Sequence, residues 1–213
     1  DSGAGNDTIN SGGGNDTLTF DTDADLNAND TVDAGAGTDA AAITIATALA
    51  TPFTLTNVEN VDLTITGAIT VDMSGVASIE RLDIENGTAA NVAVSNLATG
   101  VTVRTMDANA SLDVDTVAGA TVTFDSQIDL TAGITVTDAV TVNLGTTAVA
   151  ASDSDFFAVA LDDTDTTTLN VTGSTNALAD IDTGAITGTD ALTTVTATTS
   201  TAGATVTLGT LVD

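Results

Sequence analysis

The chain has 213 residues, of which 30 are acidic and 2 are basic, so its formal net charge at pH 7 is -28. This charge excludes nucleic acid and anionic membrane surfaces as partners, because the chain offers them no positive surface. With no cysteine, histidine or lysine, the chain also lacks disulfides, thiolate metal sites, a histidine base for a serine nucleophile and a Schiff-base lysine.

The first twenty residues contain one nine-residue phrase written twice. Residues 2–10 are SGAGNDTIN and residues 11–19 are SGGGNDTLT. Glycines at alternate positions permit the positive φ angles of a tight turn. The Asp of each phrase supplies a hard carboxylate oxygen, the ligand that calcium prefers. The last three residues suit a short strand with one buried apolar side chain, so the phrase predicts calcium-binding turns that alternate with strands.

The same spacing continues to residue 39. Asp25 follows Asp16 by nine residues, and after a slip of five residues the phrase restarts at Asn29 and is followed by a G-x-G-x-D turn over 35–39. A flexible Gly/Asp-rich linker is the alternative, but an in-register repeat favours turns that bind several calcium ions. The candidate ligands are Gly3, Gly5, Asp7, Gly12, Gly14, Asp16, Asp21, Asp23, Asp25, Asp30, Gly35, Gly37 and Asp39.

Beyond residue 42 short strands of Val, Ile, Leu and Thr return at a nearly fixed step. Val61, Leu82, Val101, Val122, Val142 and Leu161 follow one another at spacings of 21, 19, 21, 20 and 19 residues. A period near twenty with Gly, Asn and Asp at the corners predicts a right-handed parallel β-solenoid with coils of about 20 residues. The nine-residue phrases of the first forty residues resemble the calcium-binding nonapeptide repeat of the RTX family, and this resemblance implies a β-roll that leads into the β-helix. A β-sandwich is the rival, which the constant step and the absence of Trp and Tyr disfavour.

An Asp-rich segment over 148–165 interrupts these strands. It is expected to be a loop that binds further calcium or a short amphipathic helix, with the solenoid continuing over 166–213. The expected organisation is therefore RTX turns over 1–42, a solenoid over 43–147, the Asp-rich segment, and a second stretch of solenoid. The further candidate ligands are Asp153, Asp155, Asp162, Asp163 and Asp165.

The combination of these features resembles a known family. RTX turns that lead into a Thr/Ala/Val-rich solenoid, with phrases such as NVENVDL at 57–63 and LTTVT at 192–196, are similar to the calcium-dependent, Caulobacter-type surface-layer proteins of Gram-negative bacteria. The RTX motif covers only about the first forty residues. The resemblance implies type I secretion, an extracellular location and assembly into a calcium-bound array on the cell surface.

The charge leads to the same expectation without the resemblance. Faces that carry this many carboxylates repel copies of themselves unless cations bridge them, so calcium is expected both to fold the chain and to join its copies in a sheet or filament. The chain begins at Asp1 inside the repeat, and we expect it to be a fragment of a larger protein. Regions outside the fragment would contact cell-surface polysaccharide, and no membrane insertion is expected because no apolar run approaches a membrane span.

Three other functions remain as alternatives. One is the stalk of a large RTX adhesin or biofilm matrix protein. Another is an ice-binding solenoid, suggested by Thr-x-Thr phrases but disfavoured by their irregular spacing. A third is a polysaccharide lyase or epimerase that uses Arg81 and Arg104, although each Arg is expected to pair with a surface Asp instead. No enzymatic activity is expected.

Overall fold

The computed structural model describes most of the chain, and all regular secondary structure among the described residues is β. The residues described are 3–47, 53–86, 91–106, 111–127, 133–145, 154–156, 158–161, 164–173, 181–188, 190–199 and 205–212. Within these ranges the chain forms twenty strands. No helix in the described part of the chain is long and apolar enough to cross a membrane.

The strands form the walls of a solenoid. The first wall consists of β2 (Thr17–Phe20), β4 (Ala40–Ile45), β6 (Asn60–Ile65), β8 (Arg81–Asn86), β10 (Thr102–Thr105), the second halves of β11 (Ser111–Ser126) and β12 (Ile134–Gly145), β15 (Thr168–Thr172) and β18 (Thr194–Thr198). The second wall consists of β7 (Ile69–Asp72), β9 (Asn91–Leu97), the first halves of β11 and β12, β14 (Ala158–Ala160), β17 (Ala185–Thr187) and β20 (Leu211–Val212). Two three-stranded sheets complete the coils, one from β1 (Thr8–Asn10), β3 (Thr31–Asp33) and β5 (Leu55–Thr56), the other from β13 (Ser154–Asp155), β16 (Ile181–Asp182) and β19 (Val206–Thr207).

Every strand pair is parallel, and each strand pairs with its equivalent in the next coil. The first and second walls belong to one 14-stranded sheet, because β11 and β12 run through the corner between them. Parallel pairing of sequential equivalents is the arrangement of a β-solenoid. The prediction of an all-β, parallel β-solenoid is therefore confirmed.

Alternation of apolar and polar residues decides which side chains fill the interior. In β6, Val61, Leu63 and Ile65 are buried, whereas the residues between them are only partly covered. Successive side chains of a strand point to opposite faces, so this period-two pattern gives one apolar face per strand. The widest core side chains are four fully buried phenylalanines, Phe20, Phe53, Phe124 and Phe156.

The structure corrects two positions of the predicted 20-residue period. Leu82 pairs with Val103 rather than Val101, and Val142 pairs with Leu169 rather than Leu161. The second shift arises because the coil between β12 and β15 is 27 residues long and includes β13 and β14. Loops of variable length leave the strand register intact, so spacing in sequence is a poor guide to stacking where a coil is enlarged.

In the segment 148–165, the described residues include two short strands where a loop or a short helix was expected. β13 and β14 lie in it, and Phe156, Val159 and Leu161 from this segment are buried in the core. Alternating apolar residues therefore continue the solenoid here. At the other predicted boundary, between residues 42 and 43, β4 runs across and pairs with β2 and β6.

Two corners of the solenoid share one hydrogen-bonding arrangement. Asn57 donates through its side-chain amide to Asp33 over 2.8 Å, and Asn96 donates to Asp72 over 3.0 Å, each pair 24 residues apart. Both asparagines adopt positive φ, at 55° and 56°. Asn tolerates this left-handed conformation better than most residues, which explains its place at the corner. A hydrogen bond from the Ser74 backbone N–H, and then the one from Asn96, lower the pKa of Asp72.

A third corner carries two carboxylates where the others carry an Asp and an Asn. Asp115 pairs in register with Thr137, and the next residue, Asp138, has a φ of 63°. Burial and the negative charge of Asp138 raise the pKa of Asp115. We expect Asp138→Asn to raise the free energy of unfolding at neutral pH by about 0.5 kcal/mol, because a like charge disappears and Asn suits this backbone. Urea denaturation measures the change.

The gain from Asp138→Asn should vanish in acid. A carboxyl whose pKa is raised in the folded state favours folding while it is protonated and loses that contribution as the pH rises through its raised value. Below the ordinary value of 3.8, Asp115 is protonated in both states, so the two proteins should converge. The reciprocal change, Asn96→Asp, places a second carboxylate beside Asp72 and should destabilise the fold. Equal stabilities of wild type and Asp138→Asn at pH 7 would contradict this account.

Candidate functional site

The predicted calcium turns lie at the first end of the solenoid, where they stack in pairs. The first turn (3–7) precedes β1, the second turn (12–16) precedes β2, the third turn (27–30) precedes β3 and the fourth turn (35–39) precedes β4. The third turn stacks on the first and the fourth on the second, in both cases after 23 residues. This step equals two nine-residue phrases plus the five-residue slip, so the stacking of these turns follows the repeat seen in sequence.

Glycine is required where the fourth turn lies on the second. The Gly12 carbonyl accepts a hydrogen bond from the Ala36 N–H, and the Gly14 N–H donates to the Ala36 carbonyl, both over 2.8 Å. A Cβ atom on Gly35 would lie 1.8 Å from the Gly12 oxygen, and one on Gly37 would lie 1.9 Å from the Gly14 oxygen. The two turns are therefore in backbone contact, and no side chain fits between them.

Two rows of carboxylates run along these turns from coil to coil. In one row, Asp30 Oδ1 accepts a hydrogen bond from the Asp7 N–H over 2.9 Å, and in the other, Asp39 Oδ1 accepts one from the Asp16 N–H over 2.7 Å. Glu59 extends the second row by one coil, because its Oε2 accepts from the Asp39 N–H over 2.8 Å. Glu59 is not among the ligands that the repeated phrase predicts. The signal was present, since Glu59 precedes β6 as Asp39 precedes β4.

Three carboxylates of the turns have a second oxygen that no protein group satisfies. The Oδ2 atoms of Asp7, Asp16 and Asp39 are buried and have no hydrogen-bond partner, and Asp39 as a whole is 0% exposed. An ionised carboxylate that is buried without a partner is costly. Calcium binds oxygen ligands of this kind, so the chemistry of these residues fits the ion that the repeat predicts.

Asp23 and Asp25, which lie between β2 and β3, accept hydrogen bonds from groups of the protein. Both oxygens of Asp23 accept hydrogen bonds from the next coil, from the Ala46 N–H over 2.7 Å and from the N–H and hydroxyl of Thr47. Burial raises the pKa of Asp23, but these bonds outweigh it and hold the pKa below its ordinary value. Asp25 Oδ2 accepts from the Thr22 N–H over 2.9 Å, and Asp21 is exposed. The proposal that these three residues bind calcium stays a prediction.

The Asp-rich segment is only partly visible. Asp153, Asp162 and Asp163 lie outside the described residues. Asp155 is in β13 and pairs in register with Asp182 of β16, whose Oδ1 is buried and has no hydrogen-bond partner. Asp165 lies between β14 and β15. Sequence reasoning missed Asp182, because its pairing with Asp155 depends on a coil longer than the expected period.

Within the described ranges, no three acidic side chains come close enough together to hold a metal ion. Calcium takes six to eight oxygen ligands, so a site in the turns needs backbone carbonyls or water in addition to the aspartates. A glycine carbonyl of the turns can bind calcium only if it does not already accept a hydrogen bond from the protein. The Gly12 carbonyl is occupied in this sense, since it accepts a hydrogen bond from the Ala36 N–H.

The two arginines are paired with aspartates on the first wall, as the sequence analysis predicted. Arg81 Nε lies 3.1 Å from Asp83 Oδ1, and Arg104 Nη1 lies 3.1 Å from Asp83 Oδ2. Arg104 Nε also lies 3.5 Å from Asp125 Oδ2, so Arg104 links three successive coils. Asp62 pairs in register with Asp83. Burial and the negative charge of Asp83 raise the pKa of Asp62, and the positive charge of Arg81 partly offsets this rise.

Comparison of the chain with protein families, with curated proteins and with solved structures finds no match.

Proposed function

We propose that the chain is an extracellular structural protein of a bacterial surface, and that calcium drives both its folding and its assembly into an array. The observation that carries this proposal is the set of buried, unpartnered Oδ2 atoms of Asp7, Asp16 and Asp39 at the repeated turns. These residues, with backbone oxygens, would hold the ions. Bound calcium would supply positive charge where the fold buries negative charge.

The overall charge supports an external cation for the same reason. Two arginines, both paired with aspartates, leave most of the 30 acidic residues without a cationic side chain. Self-repulsion of this size opposes a compact state. A calcium-poor cytosol would therefore keep the chain loosely folded and ready for export, and calcium outside the cell would fold it.

Electron microscopy of the purified protein tests the proposal. We expect negative stain at millimolar calcium to show sheets or filaments, and a matched sample in excess chelator to show neither. Circular dichroism of the same samples should show β-structure that decreases on chelation. A fold and an assembly state that are the same in calcium and in chelator would overturn the proposal.

The adhesin alternative predicts a different image from the same experiment. Single rods at millimolar calcium, unfolded in chelator, would keep calcium-driven folding and replace the array by a stalk. The long row of parallel coils in one 14-stranded sheet is compatible with a rod, so the discriminating observation is order between particles and not the shape of one particle.

A further inference from the structure

The later coils of the first wall present a regular outer surface of small neutral residues. Their outward side chains form three columns that run from coil to coil. The columns are Thr121–Thr141–Thr168–Thr194, Thr123–Asn143–Asn170–Thr196 and Gly145–Thr172–Thr198. We call these eleven residues the Thr/Asn patch. The columns are in register although the coils differ in length, so the irregular spacing in sequence is no argument against an ordered ladder.

No residue of the patch is charged, although the chain has a net charge of -28. The third column borders one charged residue, Asp125, which pairs in register with Gly145 and forms an ion pair with Arg104. The only two cations of the chain lie on the same wall. Copies of this chain repel one another over surfaces rich in carboxylates. The patch is a surface on which two copies can meet without this repulsion.

Several side chains of the patch are already held in place. Asn143 donates to the Thr123 hydroxyl over 3.1 Å, and Asn170 donates to Asn143 Oδ1 over 2.9 Å. Thr198 donates to the Thr172 hydroxyl over 3.4 Å. Side chains ordered before contact lose less entropy when they bind.

We propose that the Thr/Asn patch is a contact surface for a second copy of this chain. This inference deepens the proposed function. The role of the contact in an array rests on that function, whereas the contact between two copies does not. Four strands about 4.8 Å apart and five residues of each strand give the patch an area of about 300 Å². Stable dimers bury about 800 Å² per partner. The contact is therefore weak in isolation and suits an array, in which many weak contacts act together.

A carboxylate placed in the patch tests the proposal. Thr168→Glu adds a charge at the centre of the first column, and Thr196→Glu adds one on β18, where the side chain is exposed and the fold is least affected. Sedimentation equilibrium of the 213-residue chain over a wide concentration range, in calcium and in chelator, gives the dissociation constant of self-association. We expect both variants to weaken association at least about tenfold, because a buried unpaired carboxylate at an interface is costly.

The matched control is Thr70→Glu on the second wall. Thr70 is exposed on β7 and pairs in register with Ala93, so the same charge is added outside the patch. Thr70→Glu should associate like the wild type. Circular dichroism and thermal unfolding should be unchanged in all three variants, which separates a lost contact from a lost fold.

The outcomes separate this inference from the proposed function. Calcium-dependent arrays that form equally well with Thr168→Glu and Thr196→Glu would overturn the contact surface and leave the proposed function standing. Association that persists in chelator and is lost in the two variants would support the contact surface and contradict calcium-driven assembly. A wild-type chain that never associates would overturn the contact surface. So would a wild-type chain that shows thermal hysteresis which is lost in the same two variants, because the patch would then be an ice-binding surface.

Discussion

The Gly37→Ala variant is expected to unfold at a much lower urea concentration than the wild type. Its Cβ atom would lie 1.9 Å from the backbone oxygen of Gly14, so one of the two stacked turns has to move. A clash with backbone cannot be relieved by a side-chain rotation, and overpacking of this severity costs about 3 kcal/mol or more. Urea denaturation at saturating calcium, followed by circular dichroism, measures the loss.

Gly13→Ala is the matched control in the same pair of turns. A Cβ on Gly13 would lie 3.9 Å from the Ala36 backbone oxygen, its one neighbour within 4 Å. Gly13 is also not among the glycines with positive φ. The repeat already places Ala at the corresponding positions 4 and 36. This variant should stay within about 0.5 kcal/mol of the wild type or gain slightly, because Ala restricts the unfolded chain. Equal destabilisation by the two substitutions would show that close stacking of the turns is not the cause.

The sequence predicted the architecture because the period-two pattern and the repeated turns point to the same fold. Val61 and Leu82 pair as expected, since the coil between them carries no insertion. Val101 and Leu161 were assigned wrongly, because one coil is offset by two residues and another is enlarged to 27. Register in a parallel sheet is fixed by burial of alternate residues, and loop length does not enter.

The candidate site was predictable in its residue types and less so in its partners. Asp7, Asp16 and Asp39 were found from the phrase, and each has a buried oxygen without a partner. Glu59 and Asp182 were missed, because each joins its row through pairing between coils rather than through the repeated phrase. The partners of Asp23 could not be predicted from the sequence, because they are the backbone N–H groups of Ala46 and Thr47 in the next coil.

Asp39→Asn is expected to reverse the order of stability between chelator and calcium. An Asn oxygen can still accept the hydrogen bond from the Asp16 N–H, so the stacking remains possible. In chelator the variant should equal or exceed the wild type, because a buried charge with an unpartnered oxygen is removed. In calcium the wild type should be the more stable, since an ion that binds only the folded state at one hundred times its dissociation constant adds about 2.7 kcal/mol.

Asp72→Asn separates this effect from a general loss of negative charge. Asp72 lies away from the turns, and its Oδ1 accepts hydrogen bonds from Asn96 and from the Ser74 N–H, which an Asn oxygen can accept as well. The two substitutions remove the same charge, so self-repulsion falls equally in both. Thermal unfolding over a calcium titration should show a weakened calcium response for Asp39→Asn and the wild-type response for Asp72→Asn. Identical titrations for all three proteins would mean that Asp39 holds no calcium, and that the turns are closed by hydrogen bonds alone.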